Sequence, residues 1–222
     1  MRALYFDGEK IRLEPEYPFN RFDEAIVRVV YAGICGTDLE ILRGYAGFSG
    51  VPGHEFVGVV EEAVDRSLVG RRVVGEINVG CGVCWMCVRG LERHCPNRTV
   101  LGIKGRDGAF AEYLRLPAKN LHTVPGDVGD IEAVFTEPLA AAYEILEQVK
   151  VDPSWRVAVV GDGRLANLIA QVLSTVVVGL RVFGKHAGKV GLLRELGVDA
   201  VVEVESEDLG GYDMVVEASG SV

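Results

Sequence analysis

Positive charge is in short supply: 23 Lys and Arg stand against 32 Asp and Glu, a formal net charge of −9 over 222 residues. A surface that binds nucleic acid or anionic lipid carries a basic excess, so this balance argues against both as partners. Long apolar runs are also lacking. The most apolar stretch, 165–180, contains Asn167, Gln171, Ser174 and Thr175. It is shorter than the ~20 residues that a membrane span needs. No secretory-leader pattern is read, because Arg2 follows Met1 and strand-like ALYF comes next. Together these absences predict a cytoplasmic protein that does not enter membranes. Cysteine is scarce, five residues in all, too few for a disulfide scaffold. No collagen period, low-complexity run or internal repeat occurs.

Glycine, by contrast, is abundant: 28 of 222 residues, about 13% against a usual ~7%. The excess predicts tight turns and places where backbone comes close to something else. Hydrophobic residues make up 49%, charged residues 25%, and mean hydropathy is +0.21, the profile of a folded globular chain. The chain reads in two halves. Strand-like runs at 3–6 and 10–13 flank the turn signal Asp7-Gly8, and further runs follow at 24–32, 56–60, 71–77 and 109–116. After Asp130 the texture becomes helical, and Pro138 suits the first turn of a helix over 139–149, with Glu137 beside it. Strand and helix patterns then alternate: strand 156–160, helix 164–173, strand 180–183, helix 188–196, and strands 200–202 and 213–218. Such alternation predicts a parallel sheet covered on both faces. A boundary near Asp152-Pro153 divides a β domain over 1–151 from an α/β domain over 152–222.

Cys81, Cys84, Cys87 and Cys95 are spaced C-x2-C-x2-C-x7-C within one loop, 81–95. Thiolates favour tetrahedral zinc, and four sulfurs close the coordination sphere, so the spacing predicts a structural zinc. Four buried free thiols, an iron–sulfur centre and a zinc ribbon for nucleic acid are the rival readings. The fifth cysteine, Cys35, lies in Gly33-Ile34-Cys35-Gly36-Thr37-Asp38. Pro52-Gly53-His54-Glu55 supplies an imidazole and a carboxylate, and Glu137 a second carboxylate. Cysteine, histidine and acid together suit a zinc with one position left open. Taken singly, each also has a structural explanation: a buried thiol, a satisfied imidazole, an acid at a helix N-terminus.

Val157–Leu173 reads strand, then Gly161-x-Gly163-x-x-Ala166, then helix. Gly161 makes the turn, Gly163 lets backbone approach a pyrophosphate, and Ala166 allows close helix packing. An acidic residue about 20 positions on normally binds the ribose hydroxyls of NAD. No Asp or Glu occurs between Asp162 and Glu195, and the second strand ends in Gly184-Lys185-His186. Glycine leaves room there and the cations suit a 2′-phosphate, so the reading favours NADP(H) with NAD(H) as the alternative.

Taken together, the Cys35 motif, the His54 motif, the four-cysteine loop, Glu137-Pro138-Leu139-Ala140 and the glycine loop resemble the zinc-dependent medium-chain alcohol dehydrogenases, nearest their polyol and threonine dehydrogenase-like branches. The resemblance runs from Met1 to Val222. It implies a GroES-like β domain followed by a Rossmann domain that is incomplete here, since the family's chains continue into a second nucleotide-binding half. It also implies Cys35 and His54 as catalytic zinc ligands, with Glu55 or Glu137 as the third. Thr37 would take part in proton transfer, Asp38 would orient a ligand, and Cys81, Cys84, Cys87 and Cys95 would hold structural zinc. Glu40 stands where many members have a relay histidine. The implied activity is hydride transfer between a small alcohol or polyol and the dinucleotide, in a protein that can form homo-oligomers. The alternative from another class is a non-catalytic, zinc-stabilised nucleotide-binding scaffold.

Overall fold

The computed structural model describes residues 1–19, 24–202 and 210–220. Contacts divide the chain into Met1–Glu137 and Pro138–Val222. The division falls upstream of the Asp152-Pro153 composition boundary, because helix residues Leu139, Ala142, Ile145 and Leu146 belong to the apolar core of the second unit.

In the first unit, strands β1 (Ala3–Phe6) and β2 (Ile11–Glu14) form an antiparallel hairpin. Asp7 Oδ1 accepts the N–H groups of Glu9 and Lys10 in its turn. The main sheet is built from β3 (Ala25–Gly33), β4 (Glu55–Glu62) and β5 (Arg72–Gly75). The short helix α1 (Gly36–Ile41) lies between β3 and β4. A small sheet joins β6 (Asn78–Val79), β7 (Thr99–Leu101) and β8 (Gly105–Arg106). Strands β9 (Tyr113–Leu116) and β10 (Leu121–Thr123) complete the main sheet in the order β10-β5-β4-β3-β9, all pairs antiparallel. The run expected at 109–116 is regular only from Tyr113. Before that, Ala109 and Phe110 donate to Gly53 and Pro52 instead of continuing a ladder.

Strand β4 is buried on both faces, as its apolar run requires. Phe56 and Val60 face a core with Val27, Val73, Leu101 and Leu114. Side chains alternate along a strand, so Glu55 and Val57 point the other way. There Val57 packs with Val74, Val124 and Ala133. Ala133 belongs to helix α2 (Asp130–Ala133), which is followed by α3 (Thr136–Gln148). The break between them precedes Pro138, which sits in the first turn of α3 where its missing N–H costs nothing.

Glycine serves close approach most clearly beneath the His54 loop. A Cβ on Gly102 would lie 2.2 Å from Gly53 O, and one on Gly108 would lie 2.1 Å from the same oxygen. Three backbone segments therefore touch without intervening side chains.

The second unit contains β11 (Arg156–Val160), α4 (Arg164–Ser174), β12 (Gly179–Gly184), α5 (Ala187–Glu195), β13 (Ala200–Val202) and β14 (Met214–Glu217). The sheet is parallel in the order β13-β12-β11-β14. This is the 3-2-1 order of one Rossmann mononucleotide half with a fourth strand beyond it, and the crevice lies where the strand order reverses, between β11 and β14. Val157, Ala158 and Val159 are fully buried, consistent with a strand covered on both faces. Helix α4 presents Ala166, Ile169, Ala170 and Leu173 to that core.

Candidate functional site

The end of β3 and the start of β4 bring two distant segments together. Gly33 pairs with Glu55 in the ladder, and irregular register between Val29 and Tyr31 sets that alignment. Cys35 follows β3, and His54 directly precedes β4. One ligand atom each from Cys35, His54 and Glu55 lies within 4.8 Å of the others. His54 and Glu55 are almost fully buried and Cys35 is half-buried.

Asp38 joins the two segments. Its Oδ2 accepts the Cys35 N–H at 2.7 Å, and its Oδ1 accepts the Gly53 N–H at 3.2 Å. His54 Nδ1 lies 3.4 Å from Oδ1 and is buried without a hydrogen bond. Burial works against charge on His54, but the carboxylates of Asp38 and Glu137 and the Cys35 thiol overcome it and raise the imidazole to about 10. Burial likewise opposes a Cys35 thiolate, while His54 and Thr37 outweigh it and lower the thiol. A buried imidazole gathered with a thiol and a carboxylate is a donor set that a cation satisfies, displacing protons as it binds. Cys35 Sγ lies 3.7 Å from Thr37 Oγ1. Among the two acids that the sequence leaves open, the gathered group contains Glu55; Glu137, in the first turn of α3, acts on His54 through its charge. Glu40 is turned elsewhere, paired with Arg43 at 2.6 Å on an exposed face.

The four-cysteine loop folds into a second cluster. Cys81, Cys84, Cys87 and Cys95 bring their sulfurs within 4.8 Å of one another. Cys84 Sγ is 3.5 Å from Cys87 Sγ and 3.6 Å from Cys95 Sγ. These spacings exceed any disulfide, about 2.0 Å. They match the edges of a sulfur tetrahedron with ~2.3 Å arms, about 3.8 Å. The N–H groups of Val83 and Cys84 lower Cys81 to about 6, so one thiol is readily ionised, whereas burial raises Cys87.

In the second unit Gly161, with φ +129°, turns the chain after β11, and Gly163 caps α4. A Cβ on Gly161 would lie 2.5 Å from Ala218 O, whereas one on Gly163 would meet nothing within 4 Å. Gly163 thus leaves open backbone at a helix N-terminus, where phosphate binds. A cavity of about 510 Å³ is lined by Gly161, Asp162, Gly184, Lys185, His186 and Glu217, among others. Lys185 and His186 are exposed after β12. Asp162, which the glycine pattern treats as a variable position, reaches the same strand end and accepts their backbone N–H groups at 2.8 and 2.6 Å. Sequence reasoning misses Asp162, and likewise the steric role of Gly33. Two signals point to them: an acid inside the glycine loop, and a glycine opposite the second acid of the metal group. No helix among the described residues is long and apolar enough to cross a membrane.

Known proteins share this fold. The family described as "Alcohol dehydrogenase GroES-like domain" matches residues 21–126. An erythritol/L-threitol dehydrogenase of Mycolicibacterium smegmatis is 31% identical over 99% of this chain and 70% of its own length. A solved putative zinc-binding dehydrogenase of Sinorhizobium meliloti bound to NADP superposes with a TM-score of 0.88 at 30% identity, covering 99% of this chain and 70% of that one. The "short chain alcohol dehydrogenase (rspB)" of Escherichia coli CFT073, complexed with NADH, gives 0.87 at 31% identity, covering 99% and 69%. Against two further curated relatives the chain spans 50% and 62% of their length.

Proposed function

Because this chain belongs to the zinc-dependent medium-chain alcohol dehydrogenase family, we propose that it carries the metal site and the first nucleotide-binding half of an oxidoreductase acting on a small alcohol or polyol. The reaction moves a hydride from the alcohol carbon to a nicotinamide dinucleotide and releases the hydroxyl proton to water. One observation carries this reading: Cys35, His54 and Glu55, from two separate segments, converge beside the hydroxyl of Thr37. A purely structural site needs no such half-open, mixed donor set.

Cys35, His54 and Glu55 would hold a catalytic zinc, with Glu137 the alternative acid. When bound, zinc supplies Lewis-acid stabilisation of negative charge at the substrate oxygen. Thr37 Oγ1 accepts the hydrogen bond of the substrate hydroxyl and passes its proton outward. Asp38 holds the backbones of Cys35 and Gly53 and sets its charge beside the His54 ring, as an outer partner of metal ligands does. Cys81, Cys84, Cys87 and Cys95 would hold a structural zinc. Glu40, engaged by Arg43, is given no part. Gly161, Gly163 and Ala166 shape the pyrophosphate turn. At its adenosine end, Lys185 and His186 support NADP(H) by their charge and Asp162 supports NAD(H) by the opposite charge.

Metal analysis combined with a dehydrogenase assay tests the proposal, using diols, polyols and amino-alcohols with NAD⁺ and NADP⁺. Two zinc ions per chain and alcohol-dependent reduction of the dinucleotide are expected. One zinc per chain, held by the four cysteines, with no reduction on any alcohol would leave only the scaffold.

A further inference from the structure

The residue that ends β12 is Gly184, yet the strand end is not without an acid. Asp162 extends from the glycine loop after β11 and sets its carboxylate against the β12 terminus. Its Oδ2 accepts the N–H groups of Lys185 and His186 at 2.8 and 2.6 Å. His186 Nδ1 lies 3.0 Å from both carboxylate oxygens, and Lys189 Nζ lies 3.8 Å from Oδ1. A Cβ on Gly184 would come within 2.8 Å of Asp162 Cβ and 3.0 Å of its Oδ2. The space that an acidic side chain at 184 would occupy is therefore already filled by a carboxylate reaching across from the neighbouring strand. The two positions complement each other: β11 and β12 are parallel neighbours whose carboxyl ends open onto one cavity.

Building on the dinucleotide reading, we propose that Asp162 determines cofactor specificity, standing in for the missing strand-end acid so that this pocket accepts the free ribose of NAD(H) and rejects the 2′-phosphate of NADP(H). A 2′-phosphate would bring about −1.5 to −2 charges to a position already held by a buried carboxylate. Of the basic side chains nearby, His186 and Lys189 face Asp162, whereas Lys185 meets it through its backbone N–H and keeps an exposed ammonium, so a 2′-phosphate would face one uncommitted cation against the carboxylate. Glu217 lines the same cavity and adds a second negative charge. An ionised carboxylate has about four acceptor sites. Oδ1 takes its contacts only from His186 and Lys189 among the described residues, which leaves acceptor capacity for a ribose hydroxyl.

Calorimetric titration with NAD⁺ and with NADP⁺ reads the proposal without turnover. The unmodified chain is expected to bind NAD⁺ at least about tenfold more tightly. Asp162→Asn keeps an acceptor oxygen but removes the charge, and it should shrink that ratio about tenfold by improving NADP⁺ binding. Equal or tighter binding of NADP⁺ by the unmodified chain overturns the proposal, as does an unchanged ratio in a folded Asp162→Asn chain. The unmodified ratio decides the matter even if the variant does not fold. Failure to bind either dinucleotide would instead remove the dinucleotide reading on which the proposal stands, and the proposal with it.

Discussion

A methyl group placed on Gly33 would sit 2.3 Å from Glu55 Oε2 and 3.1 Å from Glu55 Cβ. The two residues face each other across the β3–β4 ladder, so absence of a side chain on one strand creates the room for a buried acid on the other. Gly33→Val is expected to push the Glu55 carboxylate away from Cys35 and His54 and to lower metal affinity at that site about 10–100-fold. The four-cysteine cluster should keep its ion. Metal content before and after dialysis against a mild chelator checks this; equal retention in both proteins would show that Glu55 is not a ligand.

Asp38 holds the two ligand-bearing segments by their backbones. Asp38→Ala leaves unpaired the buried N–H of Gly53 and the partly buried N–H of Cys35, at a cost of about 3 kcal/mol. Urea unfolding of the first unit measures it. A loss below about 1 kcal/mol would mean that other partners replace the carboxylate.

The two clusters should empty independently. Cys35→Ser is expected to remove one metal equivalent while leaving the unfolding temperature nearly unchanged. Cys95→Ser, at a fully buried position, should remove the other equivalent and lower that temperature sharply, because a closed thiolate site contributes directly to folding. Strong chelation of the unmodified chain should reproduce both effects. Differential scanning calorimetry with parallel metal analysis separates them.

The glycine loop separates structural from binding roles within three residues. Gly161→Ala forces a side chain into a positive-φ turn and against Ala218 O, costing about 1–3 kcal/mol. Gly163→Val meets nothing in the folded chain, so its melting temperature should barely move while dinucleotide affinity falls steeply. A Gly163→Val chain that binds normally would show that no pyrophosphate approaches this helix end.

The four-cysteine lobe was legible because its chemistry is local: Cys81 to Cys95 need only one loop to meet. The Rossmann strands were legible because β11, β12 and β13 are apolar runs in regular alternation with helices. The group around Cys35 was legible as residue types but not as geometry. Whether Glu55 or Glu137 joins it depends on the β3–β4 register, and that register passes through an irregularity near Val30 that no sequence period announces. Asp162 was hidden for a related reason. The end of β12 reads as glycine followed by cations, and the acid that meets them comes from the preceding strand's loop, so only the parallel pairing of β11 and β12 reveals it.

Beneath His54, the Gly53, Gly102 and Gly108 backbones meet with no side chains between them. That floor has no adjustable parts: nothing larger than hydrogen can be introduced at Gly102 or Gly108 without displacing the Gly53 backbone, one residue before His54. Side-chain variation beside this centre therefore has more room at the half-buried rim around Cys35 and Thr37 than under the histidine, whose backbone seat is fixed.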